Sequence, residues 1–365
     1  MELEYKPDWA KTKQRLLAMW ENEIVDRCNI SVTAPKDANN PYIHKAPENE
    51  ADLEKWYTDA DWILSRNLDR FEKTHFAGDA LPSIFPYFGT GGHAKYLSDK
   101  AIYKPETIWL SHVVEDYNRF SFDMEPDNAV FQRELSIIKQ LADAGNGRFF
   151  VAQPDNCGSI DALAQLRGNA PLLMDFIDEP ESVRMATDKI VNVLKNASLP
   201  IFDATRANND GGSAHGWMCT WHPGKHMQLQ CDMSVMLSPA IFEEFVLPEL
   251  EQSCAFLDAA IYHLDGIEQI RHLDYILSVD KIRMIQWVNV AGQPPMTAYI
   301  DQLRRIQRSG RGLVLIIPPE QLDTLLNELS PKGLQIIVNG ARDAAEADDI
   351  VNHVAKHVYR AEQLR

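Results

Sequence analysis

Residues 259–266, AAIYHLDG, form a short apolar run that ends in two polar residues before a glycine. This pattern predicts a β-strand, along which successive side chains alternate between the two faces of the sheet. His263 and Asp265 therefore point to the same side where the strand stops. Two interpretations remain open for them. They form a pair of chemically active side chains, or His263 is a hydrogen-bonded core histidine while Asp265 caps a helix that begins near Glu268.

The composition limits the classes of partner. The chain has 365 residues, 45% of them hydrophobic, and its 53 acidic against 36 basic residues give a formal net charge of −17. No Lys/Arg-rich run interrupts this charge, so nucleic acids and anionic membrane surfaces are excluded as main partners. The five cysteines form no CxxC pair, which favours reduced thiols. No apolar run approaches the roughly 20 residues of a membrane span, and the polar N-terminus does not resemble a signal peptide, so we expect a cytoplasmic protein.

Eight apolar segments, each of strand length, recur along the chain, and helical patterns separate them. This alternation predicts an α/β protein with a (β/α)8 TIM-barrel fold in one domain, 1–365. Residues 1–27 are predicted to be an N-terminal helical extension, and 105–127 and 207–226 to be lid or loop insertions. The predicted strands are 28–34, 83–88, 148–153, 227–233, 259–266, 283–289, 312–318 and 334–339.

In such a barrel the active site lies at the carboxyl ends of the strands. The predicted strand ends carry polar or aromatic side chains on five strands, which indicates an enzyme. We expect Asp265, His263 and Asp232 to be catalytic. The predicted substrate-binding residues are Asp155, Asn156, Gln286, Trp287 and Asn339 at strand ends, together with Trp217, Trp221 and His222 in the irregular stretch 211–226.

The histidines of 211–226 invite a metal interpretation, but their spacings fit no standard zinc pattern. We therefore interpret this stretch as a substrate-contacting loop. The tryptophans Trp217, Trp221 and Trp287 suit a sugar ring or another flat-faced polar molecule.

Four segments together resemble the uroporphyrinogen decarboxylase superfamily. They are 238–250 (SPAIFEEFVLPEL), 262–266 (YHLDG), 285–295 (IQWVNVAGQPP) and 341–354 (ARDAAEADDIVNHV). The resemblance runs from about Ile30 to the end of the chain and is strongest over 237–295. It implies a TIM-barrel fold. The superfamily also contains methyltransferases that demethylate methyl-corrinoid proteins.

The departures from this superfamily narrow the chemistry. The resemblance implies an arginine-rich first strand and an acid after the second strand for decarboxylases, but here these regions read CNISVTAPKD (28–37) and FPYFGTGG (85–92). Decarboxylation of uroporphyrinogen is therefore not expected. The methyltransferases carry a His-x-Cys pair where this chain has His263-Leu264-Asp265, and a second cysteine near Asn339. Both thiolates are missing, which argues against a thiol acceptor.

The sequence still allows a metal site built from nitrogen and oxygen ligands in place of thiolates. His263 and Asp265 are candidate ligands of Zn²⁺ or another divalent ion, with Asp232 and Gln286 as further candidates. Such an ion would act as a Lewis acid or lower the pKa of a bound water.

Three functions remain. The leading hypothesis is a methyltransferase-type enzyme that acts on a methylated small molecule with a corrinoid or pterin partner, the corrinoid being carried only by a partner protein. The alternative is a hydrolase or lyase that acts on a carbohydrate or carboxylated metabolite, with Asp232, Asp265 and His263 in acid–base or metal-assisted roles. The third is a non-catalytic binding barrel. The oligomeric state is not predicted.

Overall fold

The computed structural model describes residues 2–98 and 100–364. Residues 1, 99 and 365 of the predicted domain lie outside the described residues. The α-helices are α1 (Trp9–Trp20), α2 (Glu50–Thr58), α3 (Ala60–Lys73), α4 (Ala129–Gly145), α5 (Ser159–Arg167), α6 (Asn169–Asp178), α7 (Pro180–Thr205), α8 (Pro239–Ile241), α9 (Leu247–Ala255), α10 (Leu273–Ser278), α11 (Ile300–Arg308), α12 (Leu322–Glu328) and α13 (Ala344–Lys356). None of the helices in this described part combines the length and apolarity needed to cross a bilayer.

The strands form one large sheet and three small ones. The large sheet has seven strands in the order β2-β1-β13-β12-β11-β10-β9, all neighbours parallel except the antiparallel pair β1/β2. The pairs are β3/β6, which is parallel, and β4/β5 and β7/β8, which are antiparallel. The strands are β1 (Asn29–Pro35), β2 (Thr74–Gly78), β3 (Ser83–Ile84), β4 (Ala101–Tyr103), β5 (Ile108–Leu110), β6 (Phe150–Val151), β7 (Ser213–His215), β8 (Thr220–His222), β9 (His226–Leu229), β10 (Ala259–Leu264), β11 (Ile282–Trp287), β12 (Gly312–Ile317) and β13 (Leu334–Val338).

The α/β class is confirmed, but the strand pairing does not establish a closed barrel. Five predicted strands appear within one or two residues of their expected bounds, as β1, β10, β11, β12 and β13. The predicted strands 83–88 and 148–153 shrink to two residues each, β3 and β6, and prolines at 86 and 154 remove ladder donors just beyond them. The predicted strand 227–233 ends at Leu229, because the chain then turns into the 3₁₀ helix Asp232–Met236.

The large sheet has two differently filled faces. Ala260, Tyr262 and Leu264 of β10 pack in a core with residues of helices α9 to α12. The alternate residues Ala259 and Ile261 pack instead in a second core that contains aromatic and aliphatic residues of α1. His263 continues the second set, so it points to the face that α1 covers at its other end. The predicted N-terminal helix thus occupies the amino end of this face and leaves the carboxyl end to polar side chains.

A buried ion cluster fixes α1 to the sheet. The Asp79 carboxylate, which follows β2, is fully buried. It accepts hydrogen bonds from Arg15 of α1 at 3.2 Å, from Arg27 at 2.5 Å and from the backbone N–H of Ile30 at 3.1 Å. Both arginines are themselves almost fully buried. Removing one member of such a cluster leaves charge without a partner inside the protein, which costs several kcal/mol.

We expect Asp79→Asn to lower the free energy of unfolding by about 3 kcal/mol or more, measured by urea denaturation, because the buried Arg27 guanidinium loses its carboxylate partner and Arg15 keeps only the partly exposed Asp26. Asp26→Asn is the matched control. Asp26 also binds Arg15, at 2.6 Å, but its side chain is 41% exposed, so we expect a loss of about 1 kcal/mol or less. Equal losses in the two variants would contradict this account of α1 attachment.

Candidate active site

A cavity of about 490 Å³ opens at the carboxyl ends of β9 and β10. Its walls come from these strands, from the segment after β6, from α5 and from the loop that joins β7 and β8. We call it the acid cavity because carboxyl groups dominate its chemistry. Its polar lining includes Asp155, Asn156, Asp161, Trp217, Gln228, Gln230, Asp232 and His263.

The His263 ring is held in one tautomer by its neighbour on β11. The Gln286 amide nitrogen donates to the carbonyl of Trp287 at 3.2 Å, which leaves its Oε1 to accept from the Nδ1–H of His263 at 2.5 Å. Nδ1 therefore carries the proton and Nε2 offers its lone pair. Nε2 lies 3.9 Å from Oδ1 of Asp232, which is too long for a direct hydrogen bond. Both atoms are thus available to a ligand in the cavity.

Asp232 is positioned by a second carboxylate. Asp161 of α5 accepts hydrogen bonds from the backbone N–H groups of Asp232 and Met233, at 2.8 and 2.9 Å. This arrangement holds the first turn of the 3₁₀ helix that follows β9. The side-chain amide of Gln230 donates to Oδ2 of Asp232 at 2.8 Å. The Asp232 side chain therefore keeps a fixed direction at the cavity wall.

Burial and crowding raise the pKa values of these acids. Removal of Asp232 from bulk water, followed by the charges of Asp161, Asp265 and Asp155, raises the pKa of Asp232 to about 8. Burial also raises the pKa of Asp155 to about 6, against the charge of Lys95. The Asp232 side chain is nevertheless 49% exposed, toward the cavity. The raised pKa favours the protonated carboxyl, which can act as a proton donor to a ligand in the cavity.

The opposite shift holds for His263. Burial lowers the pKa of His263, while the hydrogen bond that its Nδ1–H donates to Gln286 and the charge of Asp265 oppose this change. A neutral imidazole with a free Nε2 therefore faces a protonated carboxyl across the cavity. Two neighbouring groups with displaced pKa values are what general acid–base chemistry at pH 7 requires.

The structure brings together most of the predicted site. Asp232, His263, Asp155, Asn156 and Trp217 all line the acid cavity. Gln286 lies behind His263 and acts through it. Asp265 follows β10, half-buried, and its charge acts on both Asp232 and His263. The Asn156 side chain donates to the carbonyl of Gln228 at 2.9 Å, which ties the segment after β6 to β9.

Four other predicted substrate-binding residues lie outside the acid cavity, and we correct their placement. Trp221 is buried against Trp9 of α1, and its N–H donates to the carbonyl of Asn209 at 2.7 Å. Trp287 pairs with Leu264 in the β10/β11 register, so it points to the helix-covered face, where it packs on Tyr299.

His222 packs edge-on against Trp20 of α1, with ring centroids 4.9 Å apart. Asn339 lines a different cavity, on the other side of Trp217.

The lining residues that sequence reasoning missed include Gln228, Gln230 and Asp161. Gln228 and Gln230 alternate with the apolar residues of β9 on the face that leads to Asp232, and this period of two is a readable signal. Asp161 lies two residues into α5, where a carboxyl is ordinary for a first helical turn. Only the packing of α5 beneath β9 gives Asp161 its role.

The predicted metal ligands do not form a recognisable metal centre. Across residues 2–98 and 100–364, no group of three or more His, Cys, Asp or Glu side chains is arranged to hold an ion. His263 already donates through Nδ1 to Gln286, and its Nε2 lies 3.9 Å from Asp232. Zinc requires about four ligands at roughly 2.0–2.3 Å. Among the described residues these side chains do not form a four-ligand zinc site, and we assign zinc no step.

The comparisons with known proteins concern the fold. No protein-family profile matches the sequence, and no curated protein does. Among solved structures, a methyltransferase from Methanosarcina mazei superposes with a TM-score of 0.57 and 12% sequence identity. The superposition covers 94% of this chain and 98% of the other. At this identity the likeness shows a shared fold and leaves the chemistry to the residues of the site.

We expect Asp232→Asn to stabilise the protein, and the gain to grow with pH. An ordinary aspartate has a pKa near 3.9, whereas folding raises that of Asp232. The contribution of Asp232 to stability is therefore full below about pH 4 and is lost as the pH rises toward 8. Because the side chain is half exposed, the gain should change by less than about 1 kcal/mol per pH unit. Urea denaturation from pH 5 to 9 measures it, with the exposed Asp349→Asn as control. A gain that does not vary with pH would refute the raised pKa.

We expect Gln286→Glu to raise the pKa of His263 by roughly one unit or more, because a carboxylate then faces Nδ1–H. Proton NMR titration of the histidine Cε1–H signals measures this pKa, and a His263→Gln sample assigns the signal. The signal of His75, which pairs with the exposed Asp348, serves as an internal reference that should not move. An unchanged His263 titration would show that Gln286 does not control the ring.

Proposed function

We propose that this chain is an enzyme of the methyltransferase type that removes a methyl group from a small molecule bound in the acid cavity. One observation carries the proposal: Asp232, whose pKa is raised, faces the free Nε2 of neutral His263 at the carboxyl ends of the strands. The fold shared with a methyltransferase supports the same reaction class. The resemblance of 237–295 to the uroporphyrinogen decarboxylase superfamily is part of this proposal.

The chain's own residues supply proton transfer. When the bond between the methyl carbon and its heteroatom breaks, the electron pair stays on the heteroatom. Asp232 donates its proton to that atom, so an alcohol or amine leaves as a neutral molecule. Nε2 of His263 accepts a hydrogen bond from the substrate and fixes its orientation. Gln286 keeps Nε2 in the accepting state.

A corrinoid or pterin on a partner protein would supply the nucleophile that accepts the methyl group. A cavity of about 490 Å³ suits a small methylated molecule. We assign no residue of this chain to the corrinoid.

A closed barrel is also part of this proposal, because hydrogen bonds link β6 through β7 to the large sheet. The N–H of Gln153 donates to the carbonyl of Ala214, and the Ser213 hydroxyl is hydrogen-bonded to the His226 ring of β9.

A hydrolase or lyase is the alternative, favoured by the crowding of Asp155, Asp161, Asp232 and Asp265 in and around one cavity. In that reaction the same acid and base would act on a carbohydrate or carboxylated metabolite. The third possibility, a binding barrel without turnover, differs by yielding no product from any donor.

The test is methyl transfer to reduced cobalamin from methylated donors whose leaving atoms are oxygen, nitrogen or sulfur. We expect the cobalamin visible spectrum to change with at least one donor and the demethylated product to appear by mass spectrometry. Asp232→Asn should slow an alkoxy donor on the order of 100-fold. A quaternary ammonium donor needs no proton, because it leaves as a neutral amine, so its rate should fall far less.

Asp349→Asn, an exposed carboxyl of α13, is the matched control and should retain full rate. An equal loss for alkoxy and quaternary donors in Asp232→Asn would contradict the role of a general acid. Cleavage products without any transferred methyl group would favour the hydrolase or lyase. Ligand binding without product from any donor would favour the binding barrel.

A further inference from the structure

A second cavity, of about 470 Å³, lies on the other side of Trp217 from the acid cavity. Trp217 lines both. The second cavity is bounded by the carboxyl ends of β1 and β13 and by α2 and α3. We call it the arginine cavity because Arg66 and Arg70 of α3 line it. These residues are four apart on one helix, so they share a helix face.

The two guanidinium groups have no acidic partner. Among the described residues no carboxylate lies within ion-pair distance of Arg66 or Arg70, although the chain has 53 acidic residues. Arg66 donates to the carbonyl of Trp56 and stacks on its ring, 4.1 Å from the centroid. Arg70 donates to Asn67 and to the carbonyl of Ser83. Each guanidinium carries five N–H donors, so each retains donors for a ligand.

Neutral groups surround these cations. Burial, followed by the charges of Arg66 and Arg70, lowers the pKa of His44, so His44 is uncharged and adds no further positive charge. Tyr42 and Tyr57 line the wall as phenols, and burial raises the pKa of each. The carboxylate of the cavity lining is Glu106, an exposed residue. Burial of unpaired cations is costly, and a bound anion removes that cost.

The groups around the two arginines limit the class of ligand that fits the arginine cavity. The planar fork of an arginine matches a carboxylate in bidentate fashion. Trp56, Tyr57 and Tyr87 offer flat apolar faces to the body of the same molecule. A bare inorganic anion would leave those faces unused. An organic acid with a planar or apolar body uses both parts of the cavity.

We propose that the arginine cavity is a binding subsite for a small organic carboxylate, held by Arg66 and Arg70 and covered by the aromatic side chains around them. This inference names no reaction, so it stands or falls separately from methyl transfer. Trp217 forms the shared wall, and its ring meets that of His263 edge-on at 5.7 Å.

The test uses calorimetric titration of the full chain with benzoate, and with benzamide as its neutral isostere. We expect benzoate to bind and benzamide to bind at least tenfold more weakly. Arg66→Met and Arg70→Met should each weaken benzoate at least tenfold, and the corresponding lysine variants should recover part of the loss. Arg119→Met, whose side chain is 87% exposed, is the control and should bind benzoate normally. Inorganic phosphate tests whether a bare anion suffices.

A second measurement does not depend on the variants folding. Phenylglyoxal modifies accessible arginines, and mass spectrometry of peptides identifies which ones react. Benzoate should protect Arg66 and Arg70 in the unaltered protein and leave Arg119 equally reactive. Equal binding of benzoate and benzamide, phosphate binding as tightly as benzoate, or protection at neither arginine would each overturn the proposal.

Discussion

The strict alternation of side chains along the parallel strands determines where the two cores and the candidate site lie. One set of residues on β10 meets the outer helices and the other meets α1. The large aromatic side chains of α1 fill the amino end of the inner face, and the buried Asp79 cluster fixes the helix there. The carboxyl end of the face is left to the polar side chains that line the acid cavity. The site lies at that end because the other end is packed with tryptophan and leucine.

Acidic and basic side chains are distributed unequally between the acid cavity and the arginine cavity. Carboxyl groups from α5, from the segment after β6 and from the turn after β9 converge on one cavity, where burial and mutual repulsion favour their protonated forms. Two arginines of α3 collect beyond Trp217 without a carboxylate beside them. A fold selected only for stability would pair these opposite charges. Their separation costs stability at both places, as is usual where the side chains serve a ligand.

The sequence predicted the elements with long apolar runs far better than the side chains around the cavity. The strand of His263 and its partner strands were readable because alternation and length are local properties. Which of two adjacent residues faces inward depends on register, and in the structure Gln286 contacts His263, whereas Trp287 belongs to the outer face. Asp161 and Arg70 lie on helices whose rotation against the sheet is set by packing, and no local pattern carries that information.

The 3.9 Å gap between Nε2 of His263 and Oδ1 of Asp232 decides what the site can do. A direct hydrogen bond would let the proton pass between them and leave nothing for a ligand. At this separation a single oxygen or nitrogen atom fits between them, within hydrogen-bond distance of both. Protonated Asp232 would donate to such an atom, and Nε2 would accept from it only where it carries a hydrogen. A methylated heteroatom carries none, so it accepts from Asp232 alone while an N–H or O–H group elsewhere on the substrate donates to Nε2. The leaving atom then meets its proton donor before any bond breaks, which is the preorganisation that acid catalysis needs.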